Sequence, residues 1–167
     1  LALELAKLID RLATENCNAE DIRGLVSEGE DYAQHWQRVL RFLEILISAW
    51  PNILRDEGCI DPAQRRNALL SAQARFWQES PPMTPVIAAG STGSIPATAD
   101  LLAVVAALPK GIVVLPGLDT TLPDDAWEHL GPTHPQFGLK QLLSRLDVAR
   151  DAVTDFTGGG AHTRARL

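Results

Sequence analysis

The spacing of apolar residues changes at one proline-rich segment, and this change constrains the fold more than any other feature of the 167-residue chain. The segment, residues 80–85, reads Ser-Pro-Pro-Met-Thr-Pro. Before it, apolar residues recur at helical spacing, whereas after it two short apolar runs flank a glycine loop and an amphipathic stretch. The pattern predicts a helical region over 1–80, an α/β region over 81–156 and a flexible tail over 157–167.

Four amphipathic helices are predicted in the first region. The first has Leu1, Leu5, Leu8, Ile9 and Leu12 on one face, and a short second helix has Asn18 as N-cap, followed by Ile22, Leu25 and Val26. The third and longest has a stripe from Tyr32 through Trp36 to Trp50, and Pro51 either kinks it or ends it. The fourth starts at Asp61-Pro62, where Asp61 can cap. Its expected buried face consists of Leu69, Leu70, Ala72, Phe76 and Trp77.

The second region has the order strand, glycine loop, helix, strand. Residues 86–89 and 112–115 are apolar runs typical of buried parallel strands, and Pro96 suits the first turn of the helix between them. Such an order predicts a right-handed βαβ crossover. One unit of this kind does not make a whole sheet, so we expect further strands outside the chain or an incomplete domain. Residues 124–130 around Trp127 predict a short helix, and 137–146 predict a last amphipathic helix.

Composition narrows the possible functions. The net charge of −6 and the pI of about 5.1 argue against a free-standing nucleic-acid binder, which needs positive charge against phosphates. Cys17 and Cys59 show no metal-like or redox-like spacing, and no apolar run is long enough for a membrane span. We therefore expect reduced thiols and a cytoplasmic location. The sequence does not begin with Met, and neither end has the features of a natural chain terminus, so we expect it to lie within a longer protein.

The loop Gly90, Ser91, Thr92, Gly93, Ser94 follows the first strand and precedes a helix, an arrangement that can bind phosphate. Its spacing matches neither the P-loop nor the three-glycine dinucleotide pattern, and no lysine is near. Ser91 does not sit in a G-x-S-x-G nucleophile elbow either. The residues thus favour a structural turn or a degenerate site, with a nucleotide or phosphorylated-metabolite site as the alternative.

The sequence gives little support for a metal site or for a base-stacking surface. Asp119, Asp124 and Asp125 could hold Mg²⁺, but no D/E-x-K nuclease tripeptide accompanies them, so solvated loop acids are the better interpretation. The histidines show no zinc-like spacing, and we expect His134 in a turn. The four tryptophans could stack on nucleic-acid bases. Trp36, Trp50 and Trp77, however, recur at helical spacing with Leu and Ile, which favours packing in the core, and Trp127 is the one we most expect to be exposed. The sequence therefore predicts no catalytic residue and no metal ligand.

Long stretches of the chain resemble the AddB subunit of AddAB-type helicase–nucleases, of the alphaproteobacterial type. The resemblance rests on residues 84–102, from Thr-Pro-Val-Ile-Ala-Ala-Gly-Ser-Thr-Gly to Asp-Leu-Leu, and on Leu-Pro-Lys-Gly-Ile-Val-Val-Leu-Pro-Gly-Leu-Asp at 108–119. Residues 131–146, His35-Trp36-Gln37 and 60–67 are also similar to that family. Together these segments cover nearly the whole chain.

The resemblance implies a superfamily 1 helicase-like fold. Region 1–80 would be the helical subdomain inserted in the first motor domain, and the βαβ unit would belong to its RecA-like core. An active motor of this group places an Asp-Glu pair for Mg²⁺ at the end of this strand. Here the corresponding residues are Ala89-Gly90-Ser91-Thr92, and no carboxylate occurs before Asp100.

An inactive, scaffolding helicase fold follows from that loss. In this family the AddB fold is expected to hold the DNA strand and scan for a regulatory sequence during double-strand break repair, while AddA supplies the ATP motor. The nuclease domain, magnesium and an iron–sulfur cluster would belong to other parts of the whole protein. Contacts with DNA are expected at Ser91, Thr92 and Ser94, since hydroxyls and N–H groups suit phosphate oxygens. Two alternatives stay open: a small α/β enzyme using the Gly90–Ser94 loop, and a helical protein-interaction module built on the first eighty residues.

Overall fold

The computed structural model describes residues 2–17, 21 and 33–155. Over these residues the protein is rich in helices and contains one small parallel sheet, which confirms the coarse α/β class. The expected second helix with Asn18, Ile22, Leu25 and Val26, as well as Tyr32, the side chain of Trp36 and the tail at 157–167, lie outside the described part. None of the described helices is long and apolar enough to cross a membrane.

The chain divides into two compact units: residues 1–76 with 95–98, and residues 77–94 with 99–167. Among the described residues of the first part of the chain, the helices are α1 (Ala2–Thr14), α2 (Ala33–Asp56) and α3 (Pro62–Glu79). The later elements are β1 (Val86–Ala89), α4 (Pro96–Ala107), β2 (Gly111–Val114), α5 (Asp124–Glu128), α6 (Phe137–Leu146) and a 3-10 turn at Arg150–Ala152.

Helices α1 and α2 follow the apolar periodicity of the sequence. The α1 stripe is half-buried at Leu5, Leu8, Ile9 and Leu12, and the α2 stripe is half-buried from Val39 to Trp50 at the positions that the pattern indicated. Pro51 lies inside α2, which continues to Asp56. Of the two interpretations left open for Pro51, the one that placed it within the helix is therefore the one observed.

Asp61 caps α3 as the sequence predicted. Its Oδ1 accepts hydrogen bonds from the backbone N–H groups of Ala63 at 2.8 Å and Gln64 at 3.3 Å. Its Oδ2 accepts a longer bond, 3.5 Å, from the indole Nε1 of Trp50. The cap thus satisfies N–H groups that have no partner within the helix, and it also connects α3 to α2.

The buried face predicted for α3 is wrong in part. Leu69 and Phe76 are each 60% exposed and Ala72 is exposed, whereas the buried residues are Ala63, Asn67 and Ala74. The physical reason is a polar anchor: the Asn67 amide donates to the carbonyls of Ala13 at 2.9 Å and Thr14 at 3.2 Å, at the end of α1. Carbonyls at a helix C-terminus lack intrahelical donors, so this contact turns the Asn67 face inward.

The two strands pair in parallel with Val86 opposite Gly111 and Ala89 opposite Val114, and α4 connects them. The core of this unit consists of Ala99, Leu102 and Leu142, with Ala88, Val113, Leu115 and Leu146 packed against it. Helices α4 and α6 therefore cover the face of the sheet that presents Ala88 and Val113. The buried residues of these two helices include Leu102, Val104 and Val105 on α4 and Leu139, Leu142 and Leu143 on α6.

The expectation that both strands are buried is wrong for the other face of the sheet. Ile87 and Ile112 are register partners, and they are 63% and 51% exposed. Side chains alternate between the two faces of a strand, and α4 and α6 pack against the face that presents Ala88 and Val113. The face with Ile87 and Ile112 is therefore exposed, whereas parallel sheets are ordinarily covered on both faces.

We predict that Gly111→Ala destabilises the chain by more than about 2 kcal/mol, because a rigid backbone clash cannot relax cheaply. A Cβ at Gly111 would lie 1.7 Å from the carbonyl oxygen of Val105, at the turn where α4 leads into β2. Urea unfolding measures the change. The control is Gly138→Ala in α6, where a Cβ meets nothing within 4 Å and alanine favours the helix by up to about 1 kcal/mol. Equal stability of the two variants would contradict the assignment.

Candidate functional site

The glycine loop lies at the carboxyl edge of the sheet. The N–H of Gly90 donates to the carbonyl of Val114 at 3.1 Å, which extends the β1–β2 ladder one residue beyond the strand. Helix α4 begins at Pro96, two residues after the loop ends. The structure thus places Gly90–Ser94 between a parallel strand and a helix start, the arrangement expected from the sequence. This edge is where ligands bind in open α/β sheets.

Two glycines give the loop its shape. Gly90 and Gly93 have φ angles of +77° and +62°, in the left-handed region that other L-residues occupy only at a cost. Gly93 also sits directly on the core, since a Cβ there would lie 2.7 Å from Cδ1 of Leu142. A Cβ at Gly90 would meet nothing within 4 Å. The loop therefore needs glycine at 93 for conformation and space, and at 90 for conformation alone.

The polar groups of the loop are not equally available. Ser91 is half-buried, and its Oγ accepts a hydrogen bond of 3.3 Å from the N–H of Gly93. Thr92 and Ser94 are exposed. Two N–H groups, those of Gly90 and Gly93, thus already have acceptors within the protein. A phosphate cradle depends on several N–H groups pointing at one anion, and this loop offers fewer than its glycine content suggests.

The carboxylate nearest in sequence after the loop is held in an ion pair. Asp100 on α4 accepts two hydrogen bonds from Arg145 on α6, from Nε at 2.8 Å and Nη2 at 2.5 Å. Both side chains are about half exposed, so the pair contributes modestly to stability, but it fixes the direction of the carboxylate. No carboxylate occurs in β1 or in the loop. The strand end therefore presents hydroxyls and backbone groups.

The acids after β2 serve the local structure. Asp119 accepts hydrogen bonds from the hydroxyl of Thr121 at 2.7 Å and from its N–H at 2.8 Å. These two bonds, first that of the side chain, hold the pKa of Asp119 below its usual value. Gln136 accepts from the N–H of Asp119 at 3.1 Å and donates to the carbonyl of Gly117 at 3.0 Å. Asp119 is thus a turn residue, and Asp124 and Asp125 are exposed, in keeping with the loop acids expected from the sequence.

Arg150 organises the segment around α5. Its guanidinium lies 4.9 Å from the ring centroid of Trp127, pairs with Asp124 and donates to the carbonyl of Leu122 at 2.7 Å. Trp127 is half-buried under this cation, and Trp50 and Trp77 are half-buried as well. The spacing of residues in the sequence does not indicate this contact, because residues so far apart carry no local signal of their pairing.

The remaining polar candidates do not converge. Within the described residues, no group of three or more His, Cys, Asp or Glu side chains could hold a metal ion. The Nδ1 of His134 accepts a hydrogen bond of 3.2 Å from the N–H of Gln136, in the turn before α6, where the sequence predicted a turn residue. Cys17 and Cys59 are both free and exposed. The candidate positions Gly90–Ser94 are contiguous in the chain, with Gly90, Thr92 and Ser94 exposed.

We predict that Gly93→Ala costs more stability than Gly90→Ala. Gly90→Ala should lower the free energy of unfolding by about 1–2 kcal/mol, because alanine is strained in the left-handed conformation. Gly93→Ala has the same strain and, in addition, a clash between the new Cβ and Leu142. Urea unfolding of both variants, combined with a double-mutant cycle of Gly93→Ala and Leu142→Ala, isolates that clash. The two substitutions together should cost less than their separate costs added. If the stability losses of the two single variants simply add up in the double variant, residue 93 and Leu142 are not in contact.

We also predict that Thr121→Val raises the pKa of Asp119 towards its ordinary value, because it removes the hydroxyl donor and keeps the backbone one. Since the folded-state pKa is lowered, Asp119 stabilises the fold at pH values above its ordinary pKa, and this contribution is lost as the pH falls through the lowered value. NMR titration of the Asp119 carboxyl measures the shift. Thr120→Val, one residue away, is the control and should leave the titration unchanged.

Comparison with known proteins gave no relative: no family model, no curated protein and no solved structure matches the chain. What the loop can do is therefore inferred from its own residues and geometry.

Proposed function

We propose that the chain is a non-catalytic, helicase-like segment of an AddB-type subunit, which acts in double-strand break repair by scaffolding and by handling a DNA strand. One observation supports the proposal: β1 ends without a carboxylate, at Ala89, Gly90, Ser91 and Thr92. If β1 corresponds to the strand at which a RecA-like motor holds magnesium, the acidic ligands are missing.

The chemistry of nucleotide hydrolysis makes that absence informative. Hydrolysis requires Mg²⁺ beside the β- and γ-phosphates and a side chain that orients the attacking water. Small hydroxyls and glycine supply neither an anionic ligand for a divalent ion nor a base. The next acid along the chain, Asp100, is already bound by Arg145. These contacts support a segment that keeps the shape of a motor strand and lacks its chemistry.

The open face of the sheet also supports membership of a larger RecA-like core. Ile87 and Ile112 lie side by side in register and are exposed, while the opposite face packs against α4 and α6. Because strands of a parallel sheet are ordinarily buried on both faces, this surface suits further helices and strands of a larger domain.

Within this proposal, Thr92 and Ser94 contact the DNA backbone. Both are exposed at the start of α4, and hydroxyl groups there can donate to phosphate oxygens. Ser91 has a different role, because its Oγ already accepts the N–H of Gly93 and so holds the turn. An AddA-type subunit would supply the motor, in the cytoplasm, and magnesium and an iron–sulfur cluster would serve other parts of the whole protein.

We predict that Thr92→Ala/Ser94→Ala lowers DNA affinity about thirtyfold in the complete two-subunit complex, since each of the two lost hydrogen bonds is worth roughly 1 kcal/mol. Fluorescence anisotropy with labelled DNA at one fixed salt concentration measures it. The control is Ser80→Ala/Thr84→Ala, which removes two exposed hydroxyls from the segment before β1. Unchanged affinity of the Thr92/Ser94 variant would contradict the DNA contact. Hydrolysis of ATP by the 167-residue chain would contradict the proposal as a whole.

A second candidate function is a helical protein-interaction module, and exposed apolar residues favour it. Phe42 and Ile53 on α2 are 51% and 49% exposed, and Leu69 and Phe76 on α3 are each 60% exposed. Contiguous exposed apolar surface marks interaction sites, and Leu69 and Phe76 lie on the same side of α3. The phosphorylated-metabolite alternative gains no such support, because the loop N–H groups of Gly90 and Gly93 are already paired.

A further inference from the structure

The outer surface of α3 carries an apolar stripe that ends in opposite charges. Leu69, Ala72 and Phe76 are exposed on this helix, with Arg65 before them and Glu79 after them. At about 100° per residue, these five positions fall within about 40° of one direction on the helix. They therefore form one continuous row, which we name the α3 stripe.

The α3 stripe has no partner within the described part of the chain. Asn67 on a different side of α3 provides the contact with α1, and Ala63 and Ala74 are the other buried residues of the helix. Neither Arg65 nor Glu79 belongs to an ion pair among the described residues. Two large apolar side chains, each 60% exposed, thus stand between two unpaired charges of opposite sign.

The order of residues along the stripe is self-complementary. In an antiparallel pair of identical helices, residues equally far from the crossing point face each other. With the crossing at Ala72, Arg65 lies seven positions before it and Glu79 seven positions after it. Leu69 and Phe76 lie three positions before and four after. Arg65 of each helix then meets Glu79 of the other, and Leu69 lies beside Phe76 of the other, offset by one residue or about 1.5 Å along the helix axis.

We propose that the α3 stripe is a homodimer interface, whose occupant is the same stripe of a second copy, antiparallel and crossing at Ala72. A small residue at the crossing allows close approach of the two helices. The two-fold symmetry makes each contact occur twice, giving two Arg65–Glu79 pairs and two Leu69–Phe76 contacts. An acidic partner helix would leave Glu79 facing a like charge, so charge favours the second copy. This inference does not depend on the proposed role in DNA repair.

The size of the stripe sets the expected affinity. One helix pair buries an area at the low end of protein interfaces, below about 1,200 Å². We therefore expect a weak dimer with a dissociation constant between about 10 µM and 1 mM. Sedimentation velocity of the 167-residue chain over this concentration range measures it directly.

A charge-swap series tests the register of the two helices. Arg65→Glu and Glu79→Arg should each weaken dimerisation by about tenfold or more, because each creates two like-charge contacts. The double variant Arg65→Glu/Glu79→Arg restores both pairs in reverse and should dimerise like the parent chain. Arg11→Glu is the matched control, since it changes the net charge as Arg65→Glu does, at an exposed site on α1, and should have no effect.

Three results would overturn the proposal: a monomer at every concentration, single variants that dimerise like the parent, or a double variant that stays monomeric. The double variant contains both substitutions. A helical circular dichroism spectrum and restored dimerisation of this variant therefore also show that neither substitution unfolds α3. A chain that is monomeric throughout would leave the stripe to a different partner.

Discussion

The contact between Leu142 and Gly93 is the constraint on which the α/β unit depends. Leu142 is 2% exposed and belongs to the core with Ala99 and Leu102, so one side chain joins α6 to α4 and to the loop after β1. A Cβ at position 93 would enter its van der Waals radius. Because native cores tolerate little overlap, the packing of α6 determines the shape of the loop. The glycine loop resembles part of a phosphate site in sequence, but the glycine at position 93 is explained by its packing against Leu142.

The local signals of the sequence predicted the elements well, and its failures concern long-range contacts. The Asp61 cap, the helix start at Pro96 and the parallel pairing follow from residues near each element. The inward face of α3 does not, because Asn67 competes with larger apolar residues by bonding to carbonyls of α1 more than fifty residues away. The spacing of apolar residues carries no information about such polar contacts. It also does not distinguish a strand that is covered on both faces from one that is covered on a single face, since both have apolar runs.

Of the candidate site, the sequence predicted the location but not the availability of its groups. The five residues are contiguous, so their proximity needed no tertiary information. Which hydroxyls are free does need it: Ser91 accepts the N–H of Gly93, whereas Thr92 and Ser94 face solvent. Asp100 is similar, because its pairing with Arg145 depends on how α6 lies on α4. Side-chain partners separated by forty-five residues leave no trace in spacing.

The backbone shape of this unit does not depend on its charged side chains. The parallel strands, the glycine turn and the helix start are held by packing and by left-handed glycines. The charged residues nearby are bound to local partners: Asp119 to Thr121, Asp100 to Arg145, Arg150 to Trp127 and Asp124. A catalytic carboxylate needs a free lone pair and a shifted pKa that suits proton transfer or metal binding. The two hydrogen bonds from Thr121 that lower the pKa of Asp119 both end on its Oδ1, so the contacts that favour the ionised carboxylate also hold the turn.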